Sequence, residues 1–489
     1  QDGTSSKENG VARNFGKAKK PLVELSTYES FIMSPAEKPL RFSLPCASLS
    51  SEEEASSFAQ SLILKFSVTD DIHGYENTAH GSNGYREASL HGKDGSSCKR
   101  LLLQSKHSIM EVSLKYGEDI WSLSSQIVNP YEMVPGVAID VLNRAFFKMW
   151  ELMQLFPNLV PENTKLFSAH LCEGPGGFIQ SLLMYRSQKR ANHGKYLENP
   201  SPLDYQNPIN MKGICDTWFA ITLATPISHR EALKMDLRKL EESTDEFVEG
   251  YMHYGADDSG DITNPGNISS FVDFTLQKAN GKKMHLITGD GAFEISNNFS
   301  LQEHSHTHLL YCEMMIALQL QCHGGSFILK LFDCFSESTR IIVCILTSLY
   351  TKVEIVRLRT SRVCNSERYL VAQEFLGMPN ALKNKLVNIS NDWYNAITEG
   401  LTANLCYSMD LPCSYSNALD SSNIAIANEQ IASILRAVGL AHKLGERLSL
   451  IDGAQHKRVV SILKRKLKDM HKLKVNALLL CQTLNIPVL

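Results

Sequence analysis

The 12 cysteines of this 489-residue chain are scattered and form no C-x-x-C pair. Several, among them Cys172, Cys322 and Cys344, sit in apolar runs and read as buried free thiols of a reducing compartment. No apolar run reads as long enough to cross a bilayer, so no membrane partner is expected. Neither charge dominates: 49 Lys and Arg stand against 52 Asp and Glu, a formal net charge of -3. That excludes a basic nucleic-acid coat, and any RNA site must be a local patch. No signal peptide is recognised, so the glycosylation-like triplets at Asn267, Asn298 and Asn388 are discounted. His304 and His308 are four apart, as in helical zinc sites, but no third ligand is evident. With His306 they read as an exposed cluster at a helix start, and no metal site is assigned.

What is present is enough apolar residue, 43% of the chain, for a substantial core in one large domain with appendages or in two domains. The organising stretch is His170-Leu171-Cys172-Glu173-Gly174-Pro175-Gly176-Gly177-Phe178. The apolar run from Leu166 leads in, and Ile179 to Tyr185 leads out with apolar positions at helical spacing. The pattern is strand, glycine turn, helix. In a parallel α/β sheet such a turn lies at the carboxyl end of a strand, where ligands bind. Its glycines let backbone approach a ligand, and the free N–H groups of the helix start can hold a polar part of it.

Around this turn the chain reads in order. Residues 1 to about 20 are polar, with Lys17, Lys19 and Lys20, and read as a disordered tail. Ser50 to Glu54 followed by Phe58, Leu62, Ile63 and Phe66 reads as a capped amphipathic helix. Residues 70 to 98 read as loop, and Lys99, Arg100, Lys106 and His107 as phosphate holders or, the favoured reading, a solvated face. Leu142, Ala145, Met149, Leu152 and Phe156 form a helical stripe flanked by Lys148 and ended by Pro157. Trp218 to Leu223 is a second strand. The Ala224-Thr225-Pro226 that follows lacks the acidic residue of a dinucleotide fold, which disfavours a nicotinamide dehydrogenase. The charged residues 228 to 250 read as helix or loop, and Phe247 to Tyr254 as a third strand. The turn Asp257 to Thr263 lacks full EF-hand spacing, and its Asp261 is better placed to bond a nucleoside. Met284 to Thr288 runs into Gly289-Asp290-Gly291. His323-Gly324-Gly325 reads as a turn into the apolar strand carrying Lys330. A helix from Ser338 to Leu349 leads to a strand at Val353, and Glu367 precedes the strand Tyr369 to Val371. Beyond about residue 380 the alternation stops. Residues 427 to 484 read as helices, and the basic run Lys464 to Lys468 reads equally as an RNA-facing surface or a solvated face.

Alternation over residues 138 to 375 predicts a Rossmann-like α/β fold: a doubly wound, mostly parallel sheet. Asp290, Lys330 and Glu367 fall at or near its later strands and Lys148 on the helix before the first. Together they suggest two lysines among two carboxylates.

The order Lys148, glycine turn, Asp290, Lys330, Glu367 resembles the Lys-Asp-Lys-Glu set of the FtsJ-like (RrmJ-like) RNA 2′-O-methyltransferases, and within them the eukaryotic cap ribose methyltransferases. The match is carried by Asn143 to Met149, Cys172 to Phe178, Gly260 to Thr263, Asp290-Gly291, Gly324 to Lys330 and Asn365 to Tyr369. It covers roughly residues 125 to 375. Leu479-Leu480 and Asn485 to Pro487 resemble the enzymes of the first transcribed nucleotide, whereas His170 to Glu173 resemble those of the second. His170 stands where many members have a cofactor-contacting aspartate. The resemblance implies a methyltransferase domain over 99–380, between a partly disordered N-terminal extension with one helix (1–98) and a helical C-terminal extension (381–489).

It further implies S-adenosylmethionine as methyl donor. Gly174, Pro175, Gly176, Gly177 and Phe178 would cradle its methionine end, His170, Cys172 and Glu173 would also bind the cofactor, Asp261 and Ile262 would flank the adenine, and Asp290 would lie near the sulfonium. The implied substrate is 7-methylguanosine-capped RNA, methylated at the first transcribed nucleotide, with the second nucleotide or a ribosomal or transfer RNA as alternatives. Transcription or capping machinery is an expected partner, in the nucleus or the cytoplasm. A cap-binding scaffold with a dead methyltransferase fold is the rival of another class. The residue types suit the chemistry. A lysine of lowered pKa can take the proton of a ribose 2′-OH. The expected roles are Lys330 as base, Lys148 as orienting cation, and Asp290 and Glu367 as orienting carboxylates. Trp121, Tyr131 and Tyr116 are candidate aromatics for the cap.

Overall fold

The computed structural model describes residues 24–68, 93–138, 140–162, 164–197, 216–224, 248–292, 302–451 and 453–488. The tail 1–20 with its lysines, the loop reading over 70–92, the stretch 228–247, Thr225, Pro226 and Asn298 lie outside them.

In chain order the strands are β1 (Leu40–Leu44), β2 (Leu62–Val68), β3 (Phe167–Leu171), β4 (Asp216–Ile221), β5 (Val248–His253), β6 (Met284–Gly289), β7 (Gln321–Leu331), β8 (Tyr350–Arg357), β9 (Arg368–Phe375) and β10 (Leu401–Tyr407). The helices are α1 (Glu52–Ser61), α2 (Lys93–Tyr116), α3 (Glu118–Val128), α4 (Ala145–Leu155), α5 (Gly177–Leu197), α6 (Pro265–Lys278), α7 (Gln302–Leu320), α8 (Glu337–Leu349), α9 (Asn380–Thr398), α10 (Cys413–Leu448), α11 (Gly453–Lys466) and α12 (His471–Leu484).

Eight strands form one sheet in the order β1-β8-β9-β7-β6-β3-β4-β5. The run from β7 to β5 is parallel, while β9, β8 and β1 join antiparallel. The chain winds from β3 outward through β4 and β5, then returns to β6 on the other side of β3. The crevice beyond the carboxyl ends of β3 and β6 is therefore the switch point where doubly wound sheets bind ligands.

Side chains alternate across the sheet with period two. Ile287, Phe327, Leu329 and Leu370 bury against Ile268, Tyr311, Ile342 and Trp393 of α6 to α9. Leu286, Ile328, Tyr369 and Val371 bury on the opposite face, against α4 and α5 with Phe146 and Phe178, and against α10 and α12 with Leu440 and Leu480. Lys330 shares the parity of Ile328, which turns it toward the α4 side.

The structure corrects several expectations. The helix is capped as read, with the Ser51 hydroxyl accepting from the Glu54 N–H, and the Glu54 carboxylate accepts from the N–H of Ser50 just before the cap. The helix ends at Ser61, however, and Leu62, Ile63 and Phe66 lie on β2, which pairs with β10. β10 itself breaks the purely helical reading of the C-terminal part. His323 to Gly325 are not a turn but a bulge inside β7, where Met284 pairs with Gln321 and Leu286 with Ser326. β1 lies in the N-terminal extension yet forms the sheet edge. One helix, α10, is long and apolar enough by length and composition to cross a membrane. It instead buries Leu419, Ile426, Ile434, Leu440 and Leu448 within the protein and packs along α2 and α3.

Candidate active site

Antiparallel pairing of β7 with β9 sets Lys330 opposite Tyr369. Glu367 immediately precedes β9, so the strand end carrying the lysine and the loop carrying the glutamate meet. Lys148 reaches them from α4, with its Nζ 2.7 Å from Glu367 Oε2. Lys330 Nζ donates to the Asp290 main-chain oxygen at 3.1 Å and lies 3.5 Å from its Oδ1. The Tyr369 hydroxyl donates to Asp290 Oδ1 at 2.9 Å, and the Ser361 hydroxyl donates to Glu367 Oε1 at 2.7 Å. The four residues thus form two Lys–carboxylate pairs in one cluster. Lys148 does not snorkel to solvent.

The loop bearing Glu367 is staked from below. The Arg357 guanidinium donates to the main-chain oxygens of Val363, Asn365 and Glu367. The fully buried Glu151 carboxylate on α4 accepts from the Arg359 side chain, from the N–H groups of Arg359 and Thr360, and from the Thr360 hydroxyl.

Burial alone would lower the pKa of Lys330, but Asp290, Glu367 and Glu313 outweigh it and hold the ammonium above its ordinary value. Burial raises Glu367, yet Lys148 and Lys330 overcome this and hold its carboxylate well below the usual range. The expected lowered lysine pKa is therefore overturned in the free protein: carboxylates, not a second cation, dominate the field at Lys330.

Beside the cluster opens a cavity of about 350 Å³. Its wall includes Cys172, Glu173 and Gly174 from the glycine turn, Asp261 and Ile262, Asp290 and Lys330. Pro175, Gly176, Gly177 and Phe178 stand back from it. Gly176 has φ +114° and Gly177 lies against the Asn143 side chain, so both glycines shape the turn rather than touch a ligand. Phe178 is buried against Tyr369.

Two candidates act otherwise than expected. His170 is wholly buried in β3, with one ring nitrogen on the Ser168 hydroxyl and the other on the Thr288 hydroxyl. Burial pushes it down to about 3, so it is a neutral core residue away from the cavity wall. The helix start is not free either. Glu173 Oε1 accepts the N–H of Phe178 at 2.6 Å and of Ile179 at 3.3 Å, filling the donors expected to face a ligand. Burial and the Asp290 charge raise this carboxyl well above its ordinary value.

Glu313 belongs to the site although no motif points to it. It is completely buried on α7, and its Oε1 accepts the Gly291 N–H at 2.9 Å. A Cβ at Gly289 or Gly291 would lie 2.8 Å from that oxygen, so both glycines beside Asp290 make room for it. Burial pushes Glu313 up to about 8. Its signal in the sequence is a carboxylate inside the apolar run Leu309 to Leu320. Lys106 is not on a solvated face: it is buried with its Nζ 2.6 Å from Asp333, which Arg368 also contacts. His306 packs on Phe332 and His308 on Trp393, so two of the three histidines are core residues. No cluster of metal-ligating residues occurs among the described residues.

Residues 141–375 match the profile of the FtsJ-like methyltransferase family. These residues are an FtsJ-like methyltransferase domain. A cap-specific mRNA (nucleoside-2′-O-)-methyltransferase 1 from Homo sapiens is 29% identical over 288 residues, 54% of this chain and 30% of that protein. The protein of that name from Bos taurus is 30% identical over 288 residues, with the same shares. One from Trypanosoma cruzi is 30% identical over 253 residues, 50% of this chain and 59% of that protein. The match spans less than a third of the mammalian relatives' length. The FtsJ-like domain contains all four residues of the Lys–carboxylate cluster and every residue of the glycine turn.

Proposed function

We propose that this protein is an S-adenosylmethionine-dependent methyltransferase acting on the ribose 2′-OH of capped RNA, at the first transcribed nucleotide. The observation that carries the reading is the pair of buried Lys–carboxylate contacts, Lys148–Glu367 and Lys330–Asp290, at the edge of the 350 Å³ cavity. The cavity wall suits the donor. Two carboxylates, Asp261 and Asp290, face one lysine, which favours a cationic ligand, while Leu223, Ile262 and Leu309 offer an apolar surface for a purine. Glu173, Gly174, Asp261, Ile262 and Asp290 are the residues that would hold it.

When bound, S-adenosylmethionine supplies a methyl group already activated on a cationic sulfonium, and added positive charge beside Lys330 favours its neutral amine. Lys330 then takes the proton of the attacking 2′-OH at Nζ. Lys148, fixed by Glu367, orients that hydroxyl. Asp290 holds Lys330 through both its carboxylate and its main-chain oxygen. Positioning supplies most of the acceleration, because the donor needs no further activation.

A second cavity of about 260 Å³ abuts the Glu367 loop. Trp121, Asn365, Ser366 and Gln430 line it, and Gln430 Oε1 is buried without a hydrogen-bond partner. A flat base edged with N–H donors, stacked on Trp121, fits that description and favours RNA as substrate. Tyr131 is instead buried with its hydroxyl on the Ala36 carbonyl, and Tyr116 meets His442 edge to face. Capped transcripts originate in the nucleus, where we place the protein, beside the transcription or capping machinery.

The test is methyl transfer to RNA bearing a 7-methylguanosine cap and to the same RNA with a plain triphosphate, followed by nuclease mapping of the modified ribose. Faster transfer to capped RNA at its first nucleotide is expected. Equal rates would favour a ribosomal or transfer RNA substrate, and a methyl on the second nucleotide would move the target by one.

A further inference from the structure

We propose that α11, α12 and the turn between them form a track for the phosphates of the RNA beyond the methylation site. The inference rests on the RNA reading above and extends it to the downstream chain. Residues 453–474 carry eight lysines and arginines against one acid, Asp469, in a chain whose net charge is -3. Lys457, Arg458, Arg465, Lys466, Lys468 and Lys474 are exposed.

An ordinary solvated helix face interleaves acids three or four residues from its bases, because like charges there repel. This face does not. Among the described residues, the segment's one ion pair joins Lys464 to Asp119 of α3, at 2.5 Å. Lys457 and Lys464, like Arg458 and Arg465, are seven apart, two helical turns or about 10 Å along one face. Lys466 and Lys468 carry the charge round the turn, and Lys474 continues it on α12. A line of cations without base-reading side chains suits a polyanion held through its backbone.

The track is fixed to the catalytic domain. Leu473, Ala477, Leu480 and Leu484 bury the inner stripe of α12, and the Trp150 indole of α4 donates to the Leu484 carbonyl at 2.9 Å. α4 also carries Lys148. α3, gripped at Asp119, presents Trp121 to the cavity beside the Glu367 loop. α3 thus touches both the basic segment, at Asp119, and that cavity, at Trp121.

The experiment uses the full chain with Lys457, Arg458, Arg465 and Lys466 all changed to Gln, and a control carrying Arg458→Lys and Arg465→Lys. Methyl transfer is measured on a capped RNA only a few nucleotides long and on one several tens long, across a salt series. The expected result is a KM for the long RNA raised about tenfold, with a salt slope shallower by about 0.7 for each phosphate no longer neutralised. The short substrate and the lysine control should be unaffected. An unchanged KM on the long RNA overturns the track, and so does an equal loss on both lengths, which would mark a structural role. Lost binding to anionic vesicles with unchanged RNA kinetics also overturns it, in favour of a membrane surface. If no RNA is methylated even by the unaltered protein, the enzymatic reading fails, while the salt slope of long-RNA filter binding still reads the track.

Discussion

Lys330 is held by Asp290 twice over, through the carboxylate 3.5 Å away and through the main-chain oxygen at 3.1 Å. Burial works against the ammonium, but the charges of Asp290, Glu367 and Glu313 outweigh it, hold the lysine above its ordinary value in the free protein and fix the sign of the pH dependence. A base must be neutral to accept a proton, and the fraction of neutral Lys330 grows tenfold per pH unit below its pKa. The profile of kcat/KM, which reports the free enzyme, should therefore rise with pH through neutrality without levelling. The profile of kcat should level at a lower pH than that of kcat/KM. A flat kcat/KM through the neutral range would show that Lys330 works as an ammonium, not as a base.

Substitutions test the roles of the two lysines. Lys330→Ala should lose about a hundredfold or more in methyl transfer, the usual weight of a positioned base. Lys330→Arg should do no better, because guanidinium keeps its proton. Lys148→Ala should be severely impaired and should leave cofactor affinity intact, since Lys148 is not on the cavity wall. It also strands the buried Glu367, so its melting temperature should fall. The double variant should be little worse than Lys330→Ala alone, because the residues act as a unit. Near wild-type single-turnover rates for Lys330→Arg would remove Lys330 from the base role.

The fold and the cluster are legible in the sequence for different physical reasons. A lysine interrupting the apolar strand Phe327–Leu331 and an aspartate between two glycines are local anomalies, and sequence displays those directly. β10 is invisible there because it pairs with β2 across more than 300 residues, with no local partner to announce it. Lys106 looks solvated because Asp333, its partner, lies 227 residues away. His170 looks like a ligand by position in the motif, but two hydroxyls from neighbouring strand positions satisfy it inside the sheet. The helix-start donors look free because nothing in the order of residues shows Glu173 folding back to cap them.

Glu313 yields a stability prediction. Folding raises its pKa from about 4.5 to about 8. Between those values the folded state holds a proton that the unfolded state has released, so this group's contribution to stability falls as pH rises and is level above about 8. Glu313→Gln keeps an acceptor for the Gly291 N–H but cannot ionise. Its stability relative to the wild type, from denaturant unfolding at a series of pH values, should grow from about pH 4.5 to about pH 8. A difference independent of pH would mean that Glu313 is not the titrating group.

Glu151 tests whether the Glu367 loop must be staked for catalysis. It lies one turn beyond Lys148 on α4, so a single helix grips the loop at its base through Glu151 and at its tip through Lys148. Its two oxygens accept four hydrogen bonds from Arg359 and Thr360. In Glu151→Gln one oxygen becomes an amide NH2 group facing those donors, which leaves buried N–H groups unpaired beside the Arg359 charge. Breaking such a buried charged pair costs about 3–5 kcal/mol, seen as an earlier denaturant midpoint. The loop should then relax, and a displacement of about 1 Å at Glu367 is enough to lower kcat about a hundredfold. Cofactor affinity should not change, because neither Glu151 nor the 358–367 loop lines the 350 Å³ cavity. Calorimetry with S-adenosylmethionine beside single-turnover rates separates the two effects. A Glu151→Gln protein that is destabilised yet turns over at the wild-type rate would show that the Lys148–Glu367 contact alone holds the loop in place.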